Sequence, residues 1–220
     1  MKSLLGIRRL GIVGGTFNPI HVGHLRSAQE VCEDFDLERI IFMVSAVPPH
    51  KAPAQITGAA HRYEMLRHAV KDNPLFDASD LEIKREGKSY TVDTLSYFRN
   101  RLGPGADIYF ILGLDAFCEI ATWHDYRRLF ELAHFVVTDR PTGRNMEPEC
   151  SLPPEIATLF SRDSGGALVH ESGTRLTYHN ITAMDISATH IRGLVGRGKS
   201  IRYLVPPAVD RYIQEKGLYR

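Results

Sequence analysis

Short apolar runs alternate with amphipathic stretches along most of the chain. Residues 10–13 (Leu-Gly-Ile-Val), 40–44, 108–112 and 135–138 are continuous apolar runs, and their lack of polar alternation marks strands buried on both faces. Between them apolar residues recur at helical spacing: Val22, Leu25, Ala28, Cys32 and Phe35, then Met65, Leu66, Ala69 and Val70, then Val92, Leu95, Phe98 and Leu102. Asn73-Pro74 and Gly103-Pro104-Gly105 stop the second and third of these helices. Residues 76–83 read as a weaker strand, and Ser89 or Thr91 as the N-cap of the third helix. A short helical stretch follows Gly113-Leu114-Asp115 as far as Trp123, and residues 126–133 are helical. The stretch from Asp139 to Gly166 is loop-like around one short helix over 154–160, with a last strand over 167–169. Ser187 then caps a helix carrying Ile191, Leu194 and Val195, and a closing helix runs from near Pro207 to Gly217.

Strands alternating with helices predict an α/β fold: a Rossmann-like parallel sheet with helices on both faces, plus a small C-terminal helical part. A single domain over 1–220 is expected, with a core over 8–185, an irregular segment over 143–184 and C-terminal helices over 186–220. At 220 residues, 43% hydrophobic and 24% charged, the chain is ordinary for a globular protein with a full core. Its net charge of +1 supplies no global field toward nucleic acid or a membrane surface, so any anion site must be local. The first residues hold too short an apolar run for a signal peptide, and no run reaches membrane-spanning length. Cys32, Cys118 and Cys150 are widely spaced with no CxxC, which suits buried free thiols in a reducing cytoplasm.

The first strand runs into Gly14-Gly15-Thr16-Phe17-Asn18-Pro19-Ile20-His21-Val22-Gly23-His24. A strand, a glycine turn and a helix start place free backbone N–H groups where they can cradle a phosphate. His21 and His24, three apart on the first helical turn, share a face, and two imidazoles there can donate to charge developing on phosphoryl oxygens. Three plainer readings stand beside this one: a tight turn, a capping or packed histidine, and a zinc pair. The string fits neither GxGxxG nor the P-loop, and the helical zinc motif needs histidines four apart with a glutamate. In a parallel sheet ligands bind beyond the carboxyl ends of the strands. The polar, glycine and histidine residues cluster there: 16–24, His50-Lys51, 89–91, 113–115 and Arg140.

A second anion motif is Ile186-Ser187-Ala188-Thr189-His190-Ile191-Arg192, in which Ser187 and Thr189 open a helix and Arg192 offers a planar fork to phosphate oxygens. The Thr-Phe-Asn-Pro-x-His-x-Gly-His string resembles the HxGH motif of the nucleotidylyltransferase superfamily, and residues 186–192 resemble its ISSTxxR element. With Val47-Pro48-Pro49-His50-Lys51, residues 61–66, Ser89-Tyr90-Thr91, Gly113-Leu114-Asp115, Thr122-Trp123, Arg140-Pro141 and 217–219, the chain resembles the bacterial nicotinate mononucleotide adenylyltransferases nearly end to end. Asn18, where aspartate is frequent, Ala188 and residues 143–184 depart from the family pattern.

The resemblance implies adenylyl transfer from ATP to nicotinate mononucleotide in NAD biosynthesis, giving nicotinate adenine dinucleotide and pyrophosphate. It implies His21, His24 and Arg192 as catalytic groups. Gly14, Gly15, Thr16, Phe17, His24, Asp115, Ser187, Thr189 and Arg192 would meet ATP. Asp115 would accept from ribose hydroxyls, with a helix cap as its rival role. Lys51, Tyr90, Thr91, Trp123 and Arg140 would meet nicotinate mononucleotide, Trp123 by stacking and the Tyr90-Thr91 helix start by binding the carboxylate. Mg²⁺ would be held by phosphates and water with no protein ligand. The expected partners are these two small molecules, with no nucleic acid and no membrane; a homo-oligomer stays open. The alternatives are nicotinamide mononucleotide or a phosphopantetheine-like acceptor, and, in a different class, a non-catalytic nucleotide-binding module.

Overall fold

In a computed structural model of the chain, residues 4–45, 56–85, 88–139 and 152–220 are described. The chain follows the alternation in its sequence: β1 (Arg9–Gly15), α1 (Val22–Asp34), β2 (Arg39–Val44), α2 (Ala59–Val70), β3 (Phe76–Ser79), α3 (Leu81–Lys84), α4 (Thr91–Leu102) and β4 (Asp107–Gly113). There follow α5 (Leu114–Cys118), a 3-10 turn (Ile120–Thr122), α6 (Tyr126–Leu132), β5 (His134–Asp139), α7 (Pro154–Ala157), β6 (Phe160–Arg162), β7 (Leu168–His170), β8 (Arg175–Asn180), α8 (Ala188–Gly196) and α9 (Pro207–Glu215).

All the strands join one sheet in the order β3-β2-β1-β4-β5-β8-β7-β6. From β3 to β8 in that order neighbours are parallel; β7 and β6 fold back antiparallel at the rim. The order reverses direction at β1, between β2 and β4, which puts the switch point of the sheet beside the end of β1.

Period-2 alternation along each strand splits the core into two layers. Ile40, Phe42 and Val44 of β2 face a layer with Ala28 and Val31 of α1, Met65 and Leu66 of α2, Ile191 of α8, and Val209 and Ile213 of α9. Ile41 and Met43 face the opposite layer, with Leu10 and Ile12 of β1, Phe110 of β4, and Val92, Leu95 and Phe98 of α4. Burying both faces explains why these strands read as unbroken apolar runs.

Four expectations change. Residues 76–83 are not one strand: the chain turns after Ser79 into α3. The apolar positions Phe76, Ala78, Leu81 and Ile83 continue past that turn, which imitates a longer strand. The cap of α4 is Tyr90, not Ser89 or Thr91; the Ser89 hydroxyl instead donates to the Glu82 carbonyl at 3.1 Å. The strand expected over 167–169 is β7, but it is not the last: the helix expected over 154–160 stops at Ala157, β6 follows it, and β8 extends the parallel sheet. Cys32 is buried, as expected, but Cys118 is exposed; Cys150 lies outside the described residues.

Candidate active site

The functional cleft begins with the geometry of residues 14–24. β1 delivers Gly14 and Gly15 to the switch point, and the chain turns at Phe17, whose φ is +46°. The Phe17 ring folds back over Gly15: a Cβ on Gly15 would lie 2.8 Å from it. Glycine is therefore required at 15 by the chain's own aromatic ring. His21 is the residue that precedes α1, extended at φ −144°, and its backbone N–H donates to His24 Nδ1 at 3.3 Å. With Nδ1 accepting, a neutral His24 carries its proton on Nε2, where it can serve as a donor. The His21 and His24 rings stack at 3.6 Å, and Phe17 meets His24 edge-on at 5.2 Å. Gly23 makes room for this packing, since a Cβ there would lie 3.1 Å from His21 Nδ1.

A cleft of about 800 Å³ opens over this loop at the carboxyl ends of β1, β4 and β5. Its lining includes every residue expected to meet the nucleotide: Gly14, Gly15, Thr16, Phe17, His21 and His24 from the first motif, Asp115 from the start of α5, and Ser187, Thr189 and Arg192 from the second. Ser187 caps α8 as expected, its hydroxyl accepting from His190 N–H at 3.1 Å. Arg192 reaches across the cleft to the first motif, donating from Nη1 to the Asn18 carbonyl at 2.8 Å and from Nη2 to Thr189 Oγ1 at 3.2 Å. Residues 174 apart in sequence are thus joined directly.

Of the residues expected to meet the acceptor, Tyr90, Thr91 and Trp123 lie outside that lining. Tyr90 and Thr91 open α4, and Tyr90 packs on His124 with ring centroids 4.2 Å apart. The neighbouring Trp123 is half-buried, edge-on to Phe110 at 6.2 Å. The start of α4 and the segment holding Trp123 therefore meet through His124. Lys51 and Arg140, with residues 47–50, lie outside the described residues.

Three supporting residues escape the sequence reading. Arg62 on α2 is 1% exposed and donates to the carbonyls of Thr16 (2.8 Å) and Thr57 (2.9 Å), bracing the first motif from beneath. Its only signal is its place in the 61–66 string. Asn18 Oδ1 accepts from Thr57 N–H at 3.3 Å and from the Tyr219 hydroxyl at 2.9 Å. A carboxylate would accept both bonds equally well, so asparagine at this position leaves the local architecture intact. Glu30 on α1 accepts from Thr182 N–H at 2.7 Å and from Arg26 Nε at 2.6 Å, tying α1 to the segment that leads into the second motif. Burial pushes this carboxyl up, but the bonds from Thr182 and Arg26 prevail and hold it below the usual range.

Among the described residues, no group of three or more His, Cys, Asp or Glu side chains is placed to hold a metal ion, and no helix is long and apolar enough to cross a membrane.

A doubly wound sheet with two helix starts facing one cleft at its switch point has the architecture of a nucleotide-handling α/β protein. The cytidylyltransferase-like family matches residues 12–194. The chain is 43% identical over 212 residues to the "Probable nicotinate-nucleotide adenylyltransferase" of Trichlorobacter lovleyi, covering 96% of this chain and 99% of that one. It is 46% identical over 213 residues to the protein of the same name from Syntrophotalea carbinolica, covering 96% and 97%. Among solved structures, Plasmodium falciparum nicotinic acid mononucleotide adenylyltransferase complexed with NaAD shares the fold, with a TM-score of 0.72 at 20% identity over 96% of this chain and 97% of that one. The chain belongs to the nicotinate-nucleotide adenylyltransferase family, a family of nucleotidyltransferases.

Proposed function

We propose that the cleft transfers the adenylyl group of ATP to the phosphate of nicotinate mononucleotide, releasing pyrophosphate and forming nicotinate adenine dinucleotide for NAD biosynthesis. The observation that carries this reading is the meeting of both phosphate motifs in one cleft, joined by the Arg192–Asn18 bond. The acceptor phosphate oxygen attacks the α-phosphorus, and the bond to the bridging oxygen of pyrophosphate breaks. The protein supplies position and charge stabilisation, with no covalent intermediate. His24, donating from Nε2, and His21 stabilise charge on the α-phosphate and pyrophosphate oxygens, and the 14–17 backbone lines the nucleotide. Arg192 and the start of α8, with Ser187 and Thr189, hold the β- and γ-phosphates. Asp115, exposed on the cleft wall, accepts from ribose hydroxyls.

Magnesium would be held with ATP, mainly by phosphate oxygens and water and by no protein ligand. Its chemistry there is to neutralise phosphate charge. Trp123 stacks on the pyridine ring, and the N–H groups at the start of α4 receive its carboxylate, with Lys51 and Arg140 as phosphate contacts. The names of the curated relatives support the acid form of the acceptor. A cytoplasmic setting fits the widely spaced cysteines with no CxxC, which suit a reducing compartment.

Pyrophosphate release from ATP and Mg²⁺, measured in parallel with nicotinate and nicotinamide mononucleotides, tests the reading. Strong release with the acid and little with the amide is expected. Equal rates would keep the chemistry and retire the carboxylate role of Tyr90-Thr91. Silence with both would overturn the assignment in favour of a phosphopantetheine-like acceptor or a non-catalytic nucleotide-binding module.

A further inference from the structure

The segment after α9 is built to deliver one phenol to the first phosphate motif. α9 ends in paired bonds: Gly217 N–H donates to the Gln214 carbonyl at 3.2 Å and Leu218 N–H to the Ile213 carbonyl at 3.1 Å. With Gly217 at φ +61° this is a Schellman stop, and Leu218 and Ile213 pack in the same core layer. The stop turns the chain back toward the sheet. Tyr219 then adopts φ +66°, a conformation uncommon for an aromatic residue, and its hydroxyl reaches Asn18 Oδ1 at 2.9 Å.

Asn18 is the junction of three elements. Its side-chain oxygen takes Tyr219 and Thr57, and its backbone carbonyl takes the Arg192 guanidinium. Arg62 completes the frame by bonding both Thr16 and Thr57. A polar network of this kind is worth more in geometry than in stability when each member fixes the next. Burial pushes the Tyr219 phenol up to about 12, so it stays a proton donor throughout the working pH range.

We propose that Tyr219 is a positioning residue for adenylyl transfer: through Asn18 it sets the loop of residues 16–18 and the Arg192 guanidinium in register around the triphosphate. This rests on the reading of the cleft as an adenylyltransferase site. Tyr219 lies outside the cleft lining, which includes Asn18, and acts through it. A misplacement of a fraction of an ångström at Arg192 then appears on the ATP side of the kinetics and not on the acceptor side.

Tyr219→Phe keeps the ring and removes the hydroxyl. The expected result is a kcat about tenfold lower and an ATP KM raised severalfold, with the nicotinate mononucleotide KM within about twofold of wild type. In an Asn18→Ala background the same substitution is expected to add less than about twofold, because both changes break the Tyr219–Asn18 bond and the Tyr219 contact with the Thr57 side chain does not reach Arg192. Wild-type kcat and ATP KM in Tyr219→Phe would overturn the proposal. So would a lowered Tm with unchanged kinetics, or a full tenfold loss on top of Asn18→Ala. If Asn18→Ala does not fold, the KM-against-kcat split in Tyr219→Phe decides alone. Should the wild type release no pyrophosphate with nicotinate mononucleotide, the parent reading fails separately. Titration calorimetry with ATP and Mg²⁺ then decides: severalfold weaker ATP binding by Tyr219→Phe supports the clasp, and equal binding overturns it.

Discussion

The two ends of the parallel strands use the same residue types for opposite purposes. At the carboxyl ends, His24 and Arg192 are held by hydrogen bonds and still face an open cleft, with the buried His21 stacked on His24. At the amino ends, polar groups bind other parts of the fold. His134 Nδ1 accepts from Arg175 N–H at 3.0 Å, its Nε2 lies 3.5 Å from Asp107 Oδ1, and its ring stacks on Tyr109 at 4.9 Å. Arg99 on α4 donates to the carbonyls of Ala106 and Leu132, where the chain enters β4 and β5. A histidine or arginine is therefore a candidate for chemistry by what remains accessible after its structural bonds are made. Residue type alone does not decide.

The contrast can be broken from either end. The largest expected effect is at the cleft: His24→Ala should lose about two to four powers of ten in kcat with Tm little changed. A folded variant with near-wild-type turnover would remove the histidine from the transition state. Arg192→Ala should cost about ten- to a hundredfold in kcat/KM for ATP, measured by steady-state kinetics, since it removes a charge-assisted fork. Trp123→Ala should raise the acceptor KM about tenfold and leave the ATP KM alone; a change confined to ATP would sink the stacking role.

The smallest effect belongs to the amino ends. His134→Ala should leave kcat unchanged and lower stability by about 1–2 kcal/mol, a Tm shift of a few degrees in thermal unfolding. Burial outweighs the nearby Asp107 and holds the His134 imidazole below its ordinary 6.5. The unfolded chain therefore binds this proton more readily, and the folded state loses stability as pH falls below about 6.5. Wild-type protein should show that acid slope in Tm, and His134→Ala should flatten it. Equal slopes would show that this imidazole is not the group that titrates.

What could be read in the sequence follows the range of the forces involved. The loop from Gly14 to His24 and the Ser187 cap are local devices, made by residues a few positions apart, and their sequence strings describe them well. β8 is different. Arg-Leu-Thr-Tyr-His-Asn has one fully buried residue, Leu176, and becomes a strand because β5 offers it a parallel partner. Arg62 is hidden for a related reason: a buried guanidinium that bonds backbone carbonyls 5 and 46 residues away leaves no periodic trace. The Asn18–Tyr219 bond spans 201 residues and has no local signal at all. Each of the two motifs was legible because it is contiguous, and the frame that holds them together was not.

The hairpin at the rim has a consequence for how copies of this molecule behave at high concentration. An open strand edge is a template for pairing with another chain. At one rim β3 is only four residues long. At the other, β7 folds back over β8 and hands the edge to β6, three residues ending in the exposed Ser161 and Arg162. Among the described residues neither rim offers a long apolar ribbon, which guards the sheet against edge-to-edge growth into aggregates. An assembly of copies built instead from side-chain surfaces can form or dissolve without disturbing the strands that carry the cleft.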